Sequence, residues 1–152
     1  MTGSKRASGG GWYFRVREGL IVIFVLLFAV AFNLVYLYPE VAVKVPDLND
    51  SGMHLLLTEM AVEAITQGRD PTDPWQRTMN MGFPLFHYYQ HLPHVTVALA
   101  HVFTLEVIPL ADMMNWSAYL LLSLFPLSIF FSLRLFGFDK LAAAMGGLVA
   151  SL

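Results

Sequence analysis

Asp50 and His54 are the residues of this chain best placed to do chemistry. They are a carboxylate and an imidazole four positions apart, so on a helix they lie one turn from each other on the same side. A carboxylate held at a lipid–water boundary can take a proton from a hydroxyl, which is general-base work. The plainer role for Asp50 is an N-cap, in which it accepts a backbone N–H and contributes about 1 kcal/mol. Asp47 is the second acid. With Asp50 it makes an Asp-x-x-Asp pair whose oxygens suit a hard divalent cation, or else a solvated turn. Lys44, Arg69 and Arg77 are the only lysines and arginines between Pro39 and His91, set against a larger number of acids. They are candidates to hold an anion such as a lipid phosphate, with ordinary surface charge as the alternative. His87, His91, His94 and His101 invite a zinc reading, but no His-Glu-x-x-His pattern accompanies them. Hydrogen bonding at an interface is the expectation for these four, and no metal site is assigned.

The elements that must position these groups follow from hydrophobic periodicity. Met53, Leu56, Leu57, Met60, Ala61, Ala64 and Ile65 recur on one helical face, with His54, Thr58, Glu59 and Glu63 off it. Asn49, Asp50 and Ser51 offer N-cap chemistry and Gly68 a C-terminal stop, so an amphipathic helix is expected over 50–67. The following stretch, rich in Asp-Pro pairs and closed by Gly82 and Pro84, is expected to be ordered loop without regular structure.

Upstream, Gly19 to Tyr38 carries no charge, and Asn33 is its only strongly polar side chain. At ~1.5 Å per residue this run reaches about 30 Å, the thickness of a bilayer core, so a first transmembrane helix is expected over 19–38. Residues 1–18 form a tail with Lys5, Arg6, Arg15 and Arg17 against Glu18 alone, which places it in the cytoplasm. No small-residue cleavage site precedes Pro39, so the segment reads as a retained anchor and not a signal peptide. Residues 39–112 then form an extracytoplasmic loop.

Within that loop, 93–110 is either a span or an interfacial helix. Hydrophobicity favours the span. The positive-inside rule favours the interfacial form, because it leaves Arg134 and Lys140 on the cytoplasmic side, and it accommodates His94, His101 and Glu106. A transmembrane helix is expected over 113–136. The apolar run 141–152 stops short of a span's length and reads as the start of a further, truncated transmembrane helix.

The chain of 152 residues is 57% hydrophobic and only 13% charged, which is the profile of an integral membrane protein. A net charge of −2 gives no footing for nucleic acid, and the absence of cysteine excludes disulfides and thiol chemistry. The fold class expected is all-α and integral to the membrane. On this reading the chain is an N-terminal fragment of a multi-span protein whose outer loop carries juxtamembrane amphipathic helices.

The order of features resembles the GT-C superfamily, multi-spanning glycosyltransferases that use lipid-phosphate sugars. The stretches that carry the resemblance are Asp50-Ser-Gly-Met-His54 with Glu63 and Gly68, then Gly82 through Pro93, then Leu133-Arg134-Leu135-Phe136-Gly137. Within that superfamily the chain is most similar to bacterial membrane proteins described as 6-pyruvoyl-tetrahydropterin synthase-related, although no soluble zinc-enzyme motif is present. The resemblance implies that Asp50 is the catalytic base, or an acceptor-site carboxylate, of an inverting transferase with a polyprenyl-phosphate sugar donor. Asp47, His54, Lys44, Arg69 and Arg77 would then contact substrate, with a divalent cation compatible. The second acidic motif of metal-using members would lie beyond residue 152, and their basic pair after the second span is met here by Arg134 alone. The expected location is the plasma (inner) membrane, multi-pass, in contact with membrane lipids. The competing expectation is a non-catalytic membrane protein of the same architecture, a transporter segment or an assembly factor.

Overall fold

The computed structural model describes residues 10–43, 50–76 and 82–151. The chain is mostly helical. Helix α1 spans Gly10–Tyr36, α2 Tyr38–Ala42 and α3 Ser51–Thr66, followed by the short strands β1 (Trp75–Gln76) and β2 (Phe83–Pro84) and a 3-10 turn at Leu85–His87. Helices α4 (Leu92–Phe103), α5 (Leu110–Leu135) and α6 (Lys140–Val149) complete the order. Two helical stretches, Arg15–Ala42 and Leu110–Leu135, are long and apolar enough to cross a membrane. Phe24, at 70% exposure, and its neighbours Leu20, Ile23 and Leu27 are largely exposed on α1.

The chain divides into two compact units, one from residues 1–38 with 120–152 and one from 39–119. The first is built from α1, the later part of α5, and α6. Small residues on α6, namely Ala143, Ala144 and Gly147, are buried, and α6 packs along α1. A Cβ at Gly147 would sit 2.6 Å from the carbonyl oxygen of Pro126, so only glycine allows this approach to α5. Asp139 caps α6 by accepting the Ala142 N–H at 2.9 Å.

The second unit is α3 packed on α4, with Leu57, Ala61, Phe86, Val95 and Ala98 as its core and Val62, Ile65 and Phe83 against it. Its details amend several expectations. The buried face of α3 is rotated from the anticipated stripe, because Thr58 is buried with Leu57, Ala61 and Ala64 while Met53 is exposed. Thr58 tolerates burial by donating its hydroxyl to the carbonyl of His54 at 2.8 Å, which satisfies the polar atom within its own helix. This rotation carries His54 toward α4.

The stretch expected to lack regular structure contains the antiparallel pair β1–β2, with Trp75 opposite Pro84 and Gln76 opposite Phe83. Gly82, at φ +107°, lies under the Trp75 indole, where a Cβ would clash at 2.5 Å. The helix expected over 93–110 ends at Phe103, and Thr104 to Pro109 form a turn before α5. Twelve residues rise only about 18 Å, short of a ~30 Å hydrocarbon core.

Candidate functional site

The N-terminal turn of α3 and the start of α4 bring together the chemically competent side chains. His54 Nδ1 lies 2.9 Å from His94 Nε2. The two ring planes are within 16° of parallel, with centroids 5.2 Å apart. That centroid distance equals the N···N separation plus one ring radius on each side. The imidazoles therefore meet edge to edge, nearly in one plane, and not face to face. In-plane approach aims the N–H of one ring along the lone pair of the other.

His94 Nδ1 in turn lies 2.9 Å from the Gln90 carbonyl oxygen. A carbonyl can only accept, so His94 Nδ1 carries the proton and, in the neutral ring, Nε2 carries a lone pair. His94 is buried at 6% exposure. Burial lowers its pKa below the ordinary 6.5, the Gln90 hydrogen bond opposes this, and nearby His54 lowers it further. The neutral form is thus favoured. His54 Nδ1 must then be the donor, and its Nε2 is left with a bare lone pair. Among the described residues His54 Nε2 has no hydrogen-bond partner. Tyr89 stands beside both rings, 5.7 Å from His54 and 6.0 Å from His94 by centroid, and Phe86 closes the other side of His94.

No family model, curated protein or solved structure matches this chain. The site is therefore read from its own geometry.

Asp50 occupies the N-cap position of α3 with φ −70° and ψ −5°, and its side chain makes no capping hydrogen bond. It is exposed, one turn ahead of His54, whose N–H donates to the Asp50 carbonyl at 3.0 Å. Asp50 and His54 thus share one end of α3. Arg69 does not join them. It follows the far end of this 16-residue helix, about 24 Å of rise away, and it pairs with Glu63 at 3.3 Å. An arginine there cannot contact a group held at Asp50. Asp47, Lys44 and Arg77 lie outside the described residues.

The remaining histidines have separate surroundings. His87 pairs with Asp73 at 2.9 Å on the exposed loop, and His91 sits against Phe86. His101 is buried, with no partner for Nδ1 among the described residues. Among the described residues no group of three or more His, Asp or Glu is arranged to hold a metal ion.

Sequence reasoning named His94 only among the interfacial histidines and did not anticipate its pairing with His54. The signal that could have found it is the buried face of α3: once Thr58 is counted as buried, His54 falls one turn before it on the same side.

Proposed function

We propose that this chain is part of a multi-pass membrane glycosyltransferase of GT-C type, with α1 and α5 crossing the bilayer and α3 and α4 lying outside it. The observation that supports the reading is the paired chemistry at one end of α3. An exposed acid and an oriented imidazole lie one turn apart on α3, in a compact unit that falls in sequence between the two helices of membrane-spanning length. The short α4 fits a juxtamembrane helix and leaves Arg134 and Lys140 on the cytoplasmic side with the basic tail.

In this reading Asp50 takes the proton of an acceptor hydroxyl. The hydroxyl oxygen attacks the anomeric carbon of a polyprenyl-phosphate sugar, the bond from that carbon to the phosphate oxygen breaks, and the phosphate leaves with the electron pair. Arg69 is too far along α3 to neutralise that phosphate, so the role falls to Lys44, Arg77 or a divalent cation.

The test is transfer from radiolabelled polyprenyl-phosphate sugars in membranes carrying the protein. Asp50→Asn is expected to lower turnover by about 10²–10⁴-fold. Full turnover in that variant removes Asp50 as the base. Absence of transfer from every lipid-linked sugar offered favours a non-catalytic protein of the same architecture.

A further inference from the structure

We infer that His54 is the hydrogen-bond acceptor for a sugar hydroxyl, and that His94 is the positioning residue that holds it in the Nδ1–H tautomer. The inference rests on the proposed transferase only in naming the hydroxyl as that of a sugar; the orientation of the two rings stands on geometry alone.

The chain of contacts has one polarity. The Gln90 carbonyl accepts from His94 Nδ1 at 2.9 Å, and His94 Nε2 accepts from His54 Nδ1 at 2.9 Å. Among the described residues His54 Nε2 is the free end. Reversal of the chain would require a protonated His94, a charge buried at 6% exposure with no carboxylate recorded against it. A free histidine can exchange tautomers and offer either a donor or an acceptor at Nε2. Here that nitrogen is committed to accepting.

That commitment discriminates between parts of a lipid-linked sugar. A sugar hydroxyl has a proton to give to Nε2. An ionised phosphate has none, and its oxygens would face a lone pair. Tyr89, 37% exposed and next to the His54 ring, adds an apolar face against which a sugar ring can pack. The titratable groups around the imidazole are Asp50 one turn earlier on α3, Tyr89 from the segment before α4, and His94 on α4. Asp50 handles the proton that is transferred, while His54 holds a hydroxyl in place.

The experiment is ¹⁵N spectroscopy of the imidazoles in the full chain in lipid nanodiscs, above the pH at which histidines titrate. His54 is expected to show a protonated Nδ1 and a bare Nε2. In His94→Phe that pattern is lost, and in His94→Gln, whose amide oxygen can still accept, it is retained. A wild-type His54 protonated on Nε2 overturns the inference without any variant having to fold, as does an unchanged pattern in His94→Phe.

The ligand half is read by adding a short-chain polyprenyl-phosphate sugar or the same polyprenyl phosphate without sugar. The His54 Nε2 resonance is expected to move with the first only. Equal response to both, or to neither, overturns the hydroxyl assignment. In a transfer assay His94→Phe raises KM about tenfold with kcat little changed, the signature of a lost hydrogen bond of ordinary strength; a fall in kcat at constant KM overturns the positioning role. If transfer is never observed but the sugar-specific shift persists, the transferase reading falls and this site remains. If transfer occurs and His54 does not respond, only this inference falls.

Discussion

Leu105 occupies a position that glycine holds at two other helix ends of this chain. Helices α3 and α5 close with Gly68 at φ +66° and Gly137 at φ +89°, and in each the glycine's own amide and the one after it bond back across the last turn. Helix α4 closes in the same pattern, with Leu105 N–H on the Val102 carbonyl and Glu106 N–H on the His101 carbonyl, each at 3.0 Å. Leu105 and Glu106 adopt φ +54° and +60° to do so. The left-handed region costs a residue with a Cβ about 1–2 kcal/mol. Leu105 is 84% exposed and recovers nothing by packing within the protein. The same turn displays Phe103 at 82% and Val107 at 79% exposure, immediately before a helix of membrane-spanning length. In the proposed arrangement this apolar tip rests in the lipid interface, where Leu105 offsets its strain. Leu105→Gly should therefore stabilise the protein by about 1 kcal/mol in detergent unfolding and weaken the tip's quenching by lipid-borne probes. Destabilisation in detergent would show that the side chain has a protein contact.

At the scale of elements, the first unit is organised around one proline. Pro126 lies inside α5 and has no N–H, so the carbonyl four residues earlier, Leu122, loses its helical partner. Asn33 of α1, buried at 7% exposure, donates its side-chain amide to that carbonyl at 3.2 Å. The one strongly polar side chain in the apolar run of α1 thus answers the carbonyl that Pro126 leaves without its helical partner, as the proposed membrane setting would demand. Gly147 of α6 approaches the carbonyl of Pro126 itself, so three helices converge on a single irregular turn. Asn33→Leu should cost about 1 kcal/mol of helix association. In a Pro126→Ala background, where the α5 ladder is restored, the same substitution should cost close to nothing. A double-mutant cycle read by unfolding in detergent measures this coupling, and additive losses would mean that the two residues act independently.

For the whole molecule, the deciding question is which helices cross the bilayer. A 12-residue α4 cannot do so, which in the proposed topology leaves two crossings, α1 and α5, between the basic tail and the end of α5. The chain has no native cysteine, so single cysteines report location directly. Thr72→Cys in the loop is expected to react with a membrane-impermeant maleimide from outside intact cells. Phe136→Cys, 81% exposed after α5 in the native side chain, is expected to react only after permeabilisation. Both labelling from the same side would place α4 or another segment across the membrane and remove the proposed topology.

Local chemistry made several features legible in the sequence. Long apolar runs mark α1 and α5 as helices able to reach across ~30 Å of hydrocarbon. Gly68 marks the end of α3, because a left-handed closing residue is least costly as glycine. Asp50 and His54 are one turn apart by helical geometry alone. The tertiary structure decided what depends on a second element. Thr58 is buried because its hydroxyl is satisfied within α3 while α4 covers it. Helix α4 ends at Phe103 through backbone bonds that a leucine would not announce. Arg69 is removed from the site by the full length of α3. Asn33 reads as a lone polar residue until the proline 93 positions later supplies its acceptor's vacancy. His54 acquires a fixed tautomer only because His94, 40 residues away in sequence, is buried beside it, and the direction of a hydrogen bond between two identical rings is set by what each ring faces on its other side.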